Sequence, residues 1–245
     1  ACFDFKQEAV VENGEKVVYN LISTPEQLAG ALMGKTSQEG VFADSHTTYF
    51  TSTNKYKLTN SINLSGKSWT NSSTIDGNYF TISNLSFSYS AQYVGFVTQN
   101  SGTIKNINFE NISVTNSYSA GAPTGTGGIA GYNTGTIKNC VVKGKVVGNS
   151  FGTYTYNGSS SNNHDRRTGG IVGYNYSGTV KNCTNHASVN YGKHVGGIVG
   201  YQKSGTISKC FNYGTINCNQ NVYQRLGGIV GEIANGTLKQ CLNFG

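Results

Sequence analysis

The residues of this chain best able to do chemistry are its six cysteines, and four of them recur at one place in a repeated block. The blocks run from Gly128 to Cys140, Gly170 to Cys183, Gly197 to Cys210 and Gly228 to Cys241, each opening Gly-Ile-(Val/Ala)-Gly and carrying Gly-Thr and an aliphatic residue before the cysteine. Thiols can pair, ligate metal or fill a core. If the blocks stack as parallel strands in register, neighbouring cysteine Cβ atoms stay about 4.8 Å apart, beyond the usual disulfide span. Cys140, Cys183, Cys210 and Cys241 therefore read as a column of buried free thiols acting as small apolar groups. Cys2 and Cys218 lie outside the column, and their pairing stays open. His186 sits three residues past Cys183, and on a strand that spacing points the two apart, so no metal site is expected.

Carboxylates are scarce where catalysis would need them. After residue 75 only Asp76, Glu110, Asp165 and Glu232 remain, each at a different position of the repeat. Acid and base work on glycans, or calcium binding, requires clustered carboxylates. There is no His-Glu-X-X-His, and the paired glycines are not followed by Gly-Lys-Ser/Thr, so zinc-peptidase and nucleotide chemistry are both excluded. No catalytic residue, metal or cofactor is expected, and the chain reads as non-enzymatic. A glycan-cleaving enzyme ranks third among the readings, with Asp165 its one candidate.

Cations are better placed. An outward lysine column, Lys105, Lys138 and Lys181, is interrupted at Ser208 and resumes at Lys239. A second rank precedes the paired glycines: Arg167, His194 and Arg225, flanked by Arg166 and Lys193. Such a basic edge would suit sulfate, carboxylate or phosphate. Every insert falls between a cysteine strand and the next glycine pair. The inserts mix tyrosine (Tyr118, Tyr154, Tyr156, Tyr223) with Ser, Gly and Asn, a blend suited to recognition surfaces. Tyr132, Tyr174 and Tyr201 are expected to pack along the face.

The elements that would position these residues follow from the repeat. Within Thr-Ile-Lys-Asn-Cys, Ile104, Ile137, Val180, Ile207 and Leu238 point inward while the lysines point outward. A unit of about 22 residues with inserts of varying length is the mark of a β-solenoid. One inward column is expected to hold Leu85, Ile107, Cys140, Cys183, Cys210 and Cys241. Each glycine pair marks a corner where a side chain would obstruct. The predicted architecture is all-β, a right-handed parallel β-helix over 56–245 of six to seven coils, the last incomplete. Residues 1–55 form a strand and helix cap. Ser23-Thr24-Pro25-Glu26 is a helix start, with Leu28, Ala31 and Leu32 as the apolar face of a helix over Pro25–Met33, stopped by Gly34.

These blocks resemble the GLUG motif of secreted and surface bacterial proteins, including repeat regions of IgA-specific metallopeptidases. The resemblance covers residues 75 to 245 and implies a parallel β-helix with an extracellular or cell-surface location. No run of 18 apolar residues occurs, so no membrane span is expected. The net charge of +7 would suit an acidic partner, but with charged residues at only 12% it is a tendency, and nucleic acid is set aside. The expected function is an adhesin-like binding module showing its loops and basic edge to a glycan or host protein. The alternative is a structural subunit that self-associates end to end into a filament through an open C-terminal coil.

Overall fold

The computed structural model describes residues 5–33, 54–63, 69–71, 73–118, 122–149, 165–218 and 224–245. Among them the chain is all-β apart from one helix, and its strands fall into four sheets that are parallel beyond the first hairpin. Each repeat unit visits the four sheets in the same order. The unit from Arg166 passes through Arg166–Gly169, Val172–Asn175, Thr179–Lys181 and Thr184–Asn185, and the next begins at His194–Gly196. Every strand pairs with its counterpart one unit along, so equivalent side chains stand in columns.

The lysine column is one such file, in register from Lys105 through Lys138, Lys181 and Ser208 to Lys239. Behind it Ile104, Ile137, Val180 and Ile207 are fully buried, as alternation along a strand requires. The cysteine column also stands. Cys140, Cys183 and Cys210 are wholly buried, Cys241 is partly exposed, and all four are free thiols. Burial and the stacked neighbouring thiols raise their pKa values where a shift appears, Cys210 to about 12 with the Cys183 hydrogen bond as its largest cause.

Leu85 is a correction. Asn108 pairs with Thr81, which brings Phe80 to the level of Ile107, whereas Leu85 sits five residues on, at the level of Ile112. Thr81-Ile82-Ser83-Asn84-Leu85 imitates the repeat in sequence, but the strand in register with Thr103–Lys105 is Thr74–Asp76. Two extra residues, Asn78 and Tyr79, then turn the corner with φ of 48° and 65°.

The corner before the cysteines has its own chemistry. Asn106, Asn139, Asn182, Lys209 and Gln240 all take positive φ, the left-handed region that asparagine tolerates better than most residues. The glycine pairs answer to crowding. A Cβ at Gly170 would stand 2.3 Å from the Gly197 carbonyl oxygen. Amide ladders run between units: Asn100 Nδ2 donates to Asn133 at 2.8 Å, Asn133 to Asn175 at 2.9 Å and Asn175 to Gln202 at 3.3 Å, all four residues being buried.

The N-terminal strands lie at one edge of the nine-stranded sheet. Strands β1 (Gln7–Glu12) and β2 (Glu15–Ile22) form an antiparallel hairpin through Asn13 and Gly14, both at positive φ, and β2 continues in parallel into β3 (Lys55–Leu58). Helix α1 spans Pro25–Met33 as its cap signals require. Gln27 N donates to Thr24 Oγ1 at 3.1 Å while Ser23 N donates to Gln27 Oε1 at 2.8 Å. Leu28, Ala31 and Leu32 are buried, with Ala29 beside them. Gly34 lies outside the described residues. No helix among those described is long and apolar enough to cross a membrane.

Candidate functional site

Two neighbouring columns build the face of interest. The strands that carry the second Gly of each block align Gln99, Tyr132, Tyr174, Tyr201 and Glu232. The strands ahead of the glycine pairs align Tyr93, Gly125, Arg167, His194 and Arg225. A corner brings the columns together, so Arg167 and His194 meet tyrosine rings, while Arg225 meets Glu232. The Arg167 guanidinium lies 4.1 Å from the Tyr174 ring centroid and 4.8 Å from that of Tyr201, and the His194 ring meets Tyr201 edge-on at 5.3 Å.

The tyrosines form a continuous ladder. Tyr93 contacts Tyr132 at 5.0 Å, Tyr132 contacts Tyr174 at 5.3 Å, and Tyr174 contacts Tyr201 at 5.6 Å. Tyr176 joins from the following turn, 5.6 Å from Tyr132 and 37% exposed, with Lys203 4.0 Å above its ring. The ladder packs along the face, as the sequence leads one to expect, yet most of its rings are only half-buried. Burial raises the pKa values of Tyr93, Tyr132 and Tyr174, which keeps them neutral phenols.

At the ladder's ionic end, residues from separate units converge on one imidazole. His194 is 1% exposed. Its Nε2 lies 3.4 Å from Asp165 Oδ1, and its Nδ1 lies 2.7 Å from Glu232 Oε2 but off the line of a hydrogen bond, so that contact is electrostatic. Asp165 also accepts from Lys193 at 2.9 Å and Arg167 at 3.1 Å, and Glu232 accepts from Arg225 at 2.6 Å. Burial pushes the Asp165 pKa up, but hydrogen bonds from Lys193 and His194 and nearby cations outweigh it and leave the pKa lowered. Burial lowers that of His194, and the two carboxylates offset this only in part.

The predicted basic edge thus takes a different form. Arg166 and Arg167 are 7% and 6% exposed, and Arg166 donates to the Tyr118 carbonyl at 3.1 Å. Of the five cations only Arg225 is exposed, and it is paired. The rank is cationic in composition and largely neutralised in place. Asp165 and Glu232, read from the sequence as unrelated, meet through His194. The signal was present: in the last block Glu232 takes the place that tyrosine holds in the other three. Tyr118 is at hand, whereas Tyr154, Tyr156 and Tyr223 lie outside the described residues. Exposed His186 stacks on Tyr213 at 4.9 Å, away from the inward Cys183.

Comparison with known proteins bears on the repeats. A crystal structure of a "putative immunoglobulin A1 protease" from Bacteroides ovatus superposes on 91% of this chain and 74% of its own with a TM-score of 0.59 at 20% identity, a likeness of fold alone. Halomucin of Haloquadratum walsbyi is 32% identical over 145 residues, 51% of this chain, and this chain spans 1% of that protein's length. The profile of the GLUG motif matches residues 122–147 and 165–190. This chain therefore carries the GLUG motif, in the very units that supply Tyr132, Tyr174 and the Asp165–Arg167 pair.

Proposed function

We propose that this chain is a right-handed parallel β-helix serving as a non-enzymatic binding module of a secreted or cell-surface protein, and that it takes an extended glycan along its tyrosine column. The observation that carries this is the ladder of Tyr132, Tyr174 and Tyr201 over three successive units, widened by Tyr176. Rings set one unit apart offer a repeating ligand a repeating contact. Their electron-rich faces suit the C–H surfaces of sugar rings, and neutral hydroxyls border them. Tyrosine also supplies contact area at low entropic cost. The sheet backbone holds the spacing before any ligand arrives.

The reading as a binder rests on the state of the carboxylates. Asp165 and Glu232 are each tied to cations, and a general acid for glycoside cleavage needs a raised pKa, whereas that of Asp165 is lowered. An outside location is in keeping with the Bacteroides ovatus protein, which is named for action on immunoglobulin A1. The test is a glycan array comparing wild type with the Tyr132→Ala, Tyr174→Ala, Tyr176→Ala triple variant, with folding checked by circular dichroism. Loss of binding in the folded variant is expected. Equal binding by both proteins would overturn the assignment of the ladder.

A further inference from the structure

His194 is a buried imidazole with a carboxylate at each ring nitrogen, and the two carboxylates come from units before and after its own. Every charged group facing it lies on an adjoining strand or next to one: Lys193 beside it, Asp165 and Arg167 from the preceding unit, Arg225 and Glu232 from the following one, with Tyr201 edge-on. Three cations face two carboxylates, which leaves one positive charge in excess while the ring is neutral and two when it is protonated.

We propose that His194 is an acid-operated gate on this face: once protonated, it draws Asp165 and Glu232 to its two nitrogens and frees Lys193 and Arg225 to hold an anionic polysaccharide beside the tyrosines. The inference rests on the reading of this face as a glycan surface. The neutral ring has one proton for two nitrogens that each face a carboxylate: Nε2 lies 3.4 Å from Asp165 Oδ1, an oxygen held by Lys193 at 2.9 Å, and Nδ1 lies 2.7 Å from Glu232 Oε2. A second proton makes both nitrogens donors on a charged ring, which competes more strongly with Lys193 for its oxygen. At the other nitrogen, Glu232 Oε2 is shared between His194 at 2.7 Å and Arg225 at 2.6 Å, so a charged ring weakens the hold on Arg225 as well. Arg225 is already on the surface, with its side chain 55% exposed. Sulfate or carboxylate groups spaced along a polysaccharide are the ligands such released cations suit. Burial lowers the pKa of the ring, so the gate opens on the acid side of the ordinary imidazole value.

The experiment measures capture of dextran and dextran sulfate by the whole chain near pH 7.5 and near pH 5, on either side of the ordinary imidazole pKa of about 6.5. One added charge next to a bound sulfate is expected to tighten dextran sulfate binding about tenfold in acid. Dextran binding should not move with pH. His194→Gln should abolish the acid gain. A gain of equal size in His194→Gln, or no gain in wild type, overturns the gate and leaves the glycan reading standing. Binding of neither polysaccharide at either pH sinks both. Imidazole resonances of wild type and His194→Gln, followed by NMR, check the gate without any ligand. A His194 ring already charged near pH 7.5 would also overturn it.

Discussion

Replacing Asn175 by alanine tests the stacking at its centre. Asn175 is fully buried and accepts from Asn133 Nδ2 at 2.9 Å, while its own Nδ2 donates to Gly178 O at 3.0 Å and reaches Gln202 Oε1 at 3.3 Å. Gly178 O keeps the Thr206 amide, and Asn133 keeps Gly135 O. The unreplaced losses are one bond of Asn133, the acceptor site of Gln202 and a long bond to Ser204 O at 3.4 Å. Each buried polar group left wanting costs about 1–3 kcal/mol, and with the void the total is about 4 kcal/mol. Stacked units open locally, so hydrogen exchange is a sharper assay than a single melting curve. The Lys203 amide, which donates to Asn175 O at 2.9 Å, reports on the mutated unit. Its protection should fall by about three orders of magnitude, since about 1.4 kcal/mol is a factor of ten. A drop of less than tenfold would refute the idea that the amide ladder, beyond the backbone, holds the units together.

Other consequences are quicker to check. Arg167→Met keeps the buried stem and removes the guanidinium from Tyr174, Tyr201 and Asp165, so thermal denaturation should show a loss of about 2 kcal/mol; no loss would mean that the ring contacts are idle. At the outer corner Asn139 has φ of 55°, and Gly and Ala both lose its side-chain bonds to Asn106 and Asn182, so Asn139→Ala should cost about 1 kcal/mol more than Asn139→Gly in urea unfolding. His194 and Asp165 both have lowered pKa values, so the unfolded chain binds more protons and their stability contribution is present at neutral pH and lost in acid. The melting temperature should fall as pH drops below the ordinary imidazole range, and this first step should be missing in His194→Gln. Native thiol labelling should spare Cys140, Cys183 and Cys210 and reach Cys218 and Cys241 slowly; rapid reaction at Cys183 would contradict the buried column.

How much could be read in advance depended on which forces act within a unit. The lysine and cysteine columns and helix α1 were legible because alternation along a strand and the start signal Ser23-Thr24-Pro25-Glu26 are local. Leu85 was misplaced because a two-residue insert, Asn78 and Tyr79, shifts the register after a corner, and a string match does not weigh corners. Ile137 and Cys140 both face inward three residues apart, which strict alternation forbids; the left-handed Asn139 makes it possible, and asparagine at that place was the clue. The ionic cluster was hidden for a different reason. Asp165 and Glu232 are 67 positions apart along the chain, and only stacking unites them. The basic rank misled because a count of cations says nothing of the carboxylates beside them.

The departures from repetition give this face its direction. Identical units would present the same groups at every level, and a ligand could slide along them or bind in either sense. Here the tyrosine column passes to Glu232, and the neighbouring column passes from Tyr93 through the bare Gly125 to Arg167, His194 and Arg225. The face thus changes from aromatic levels to ionic ones, while the backbone spacing stays constant throughout. On the proposed reading, an extended ligand that engages both parts would be held in one orientation and one register. The repeat supplies the spacing, and the side chains that break it supply the polarity that such recognition would use.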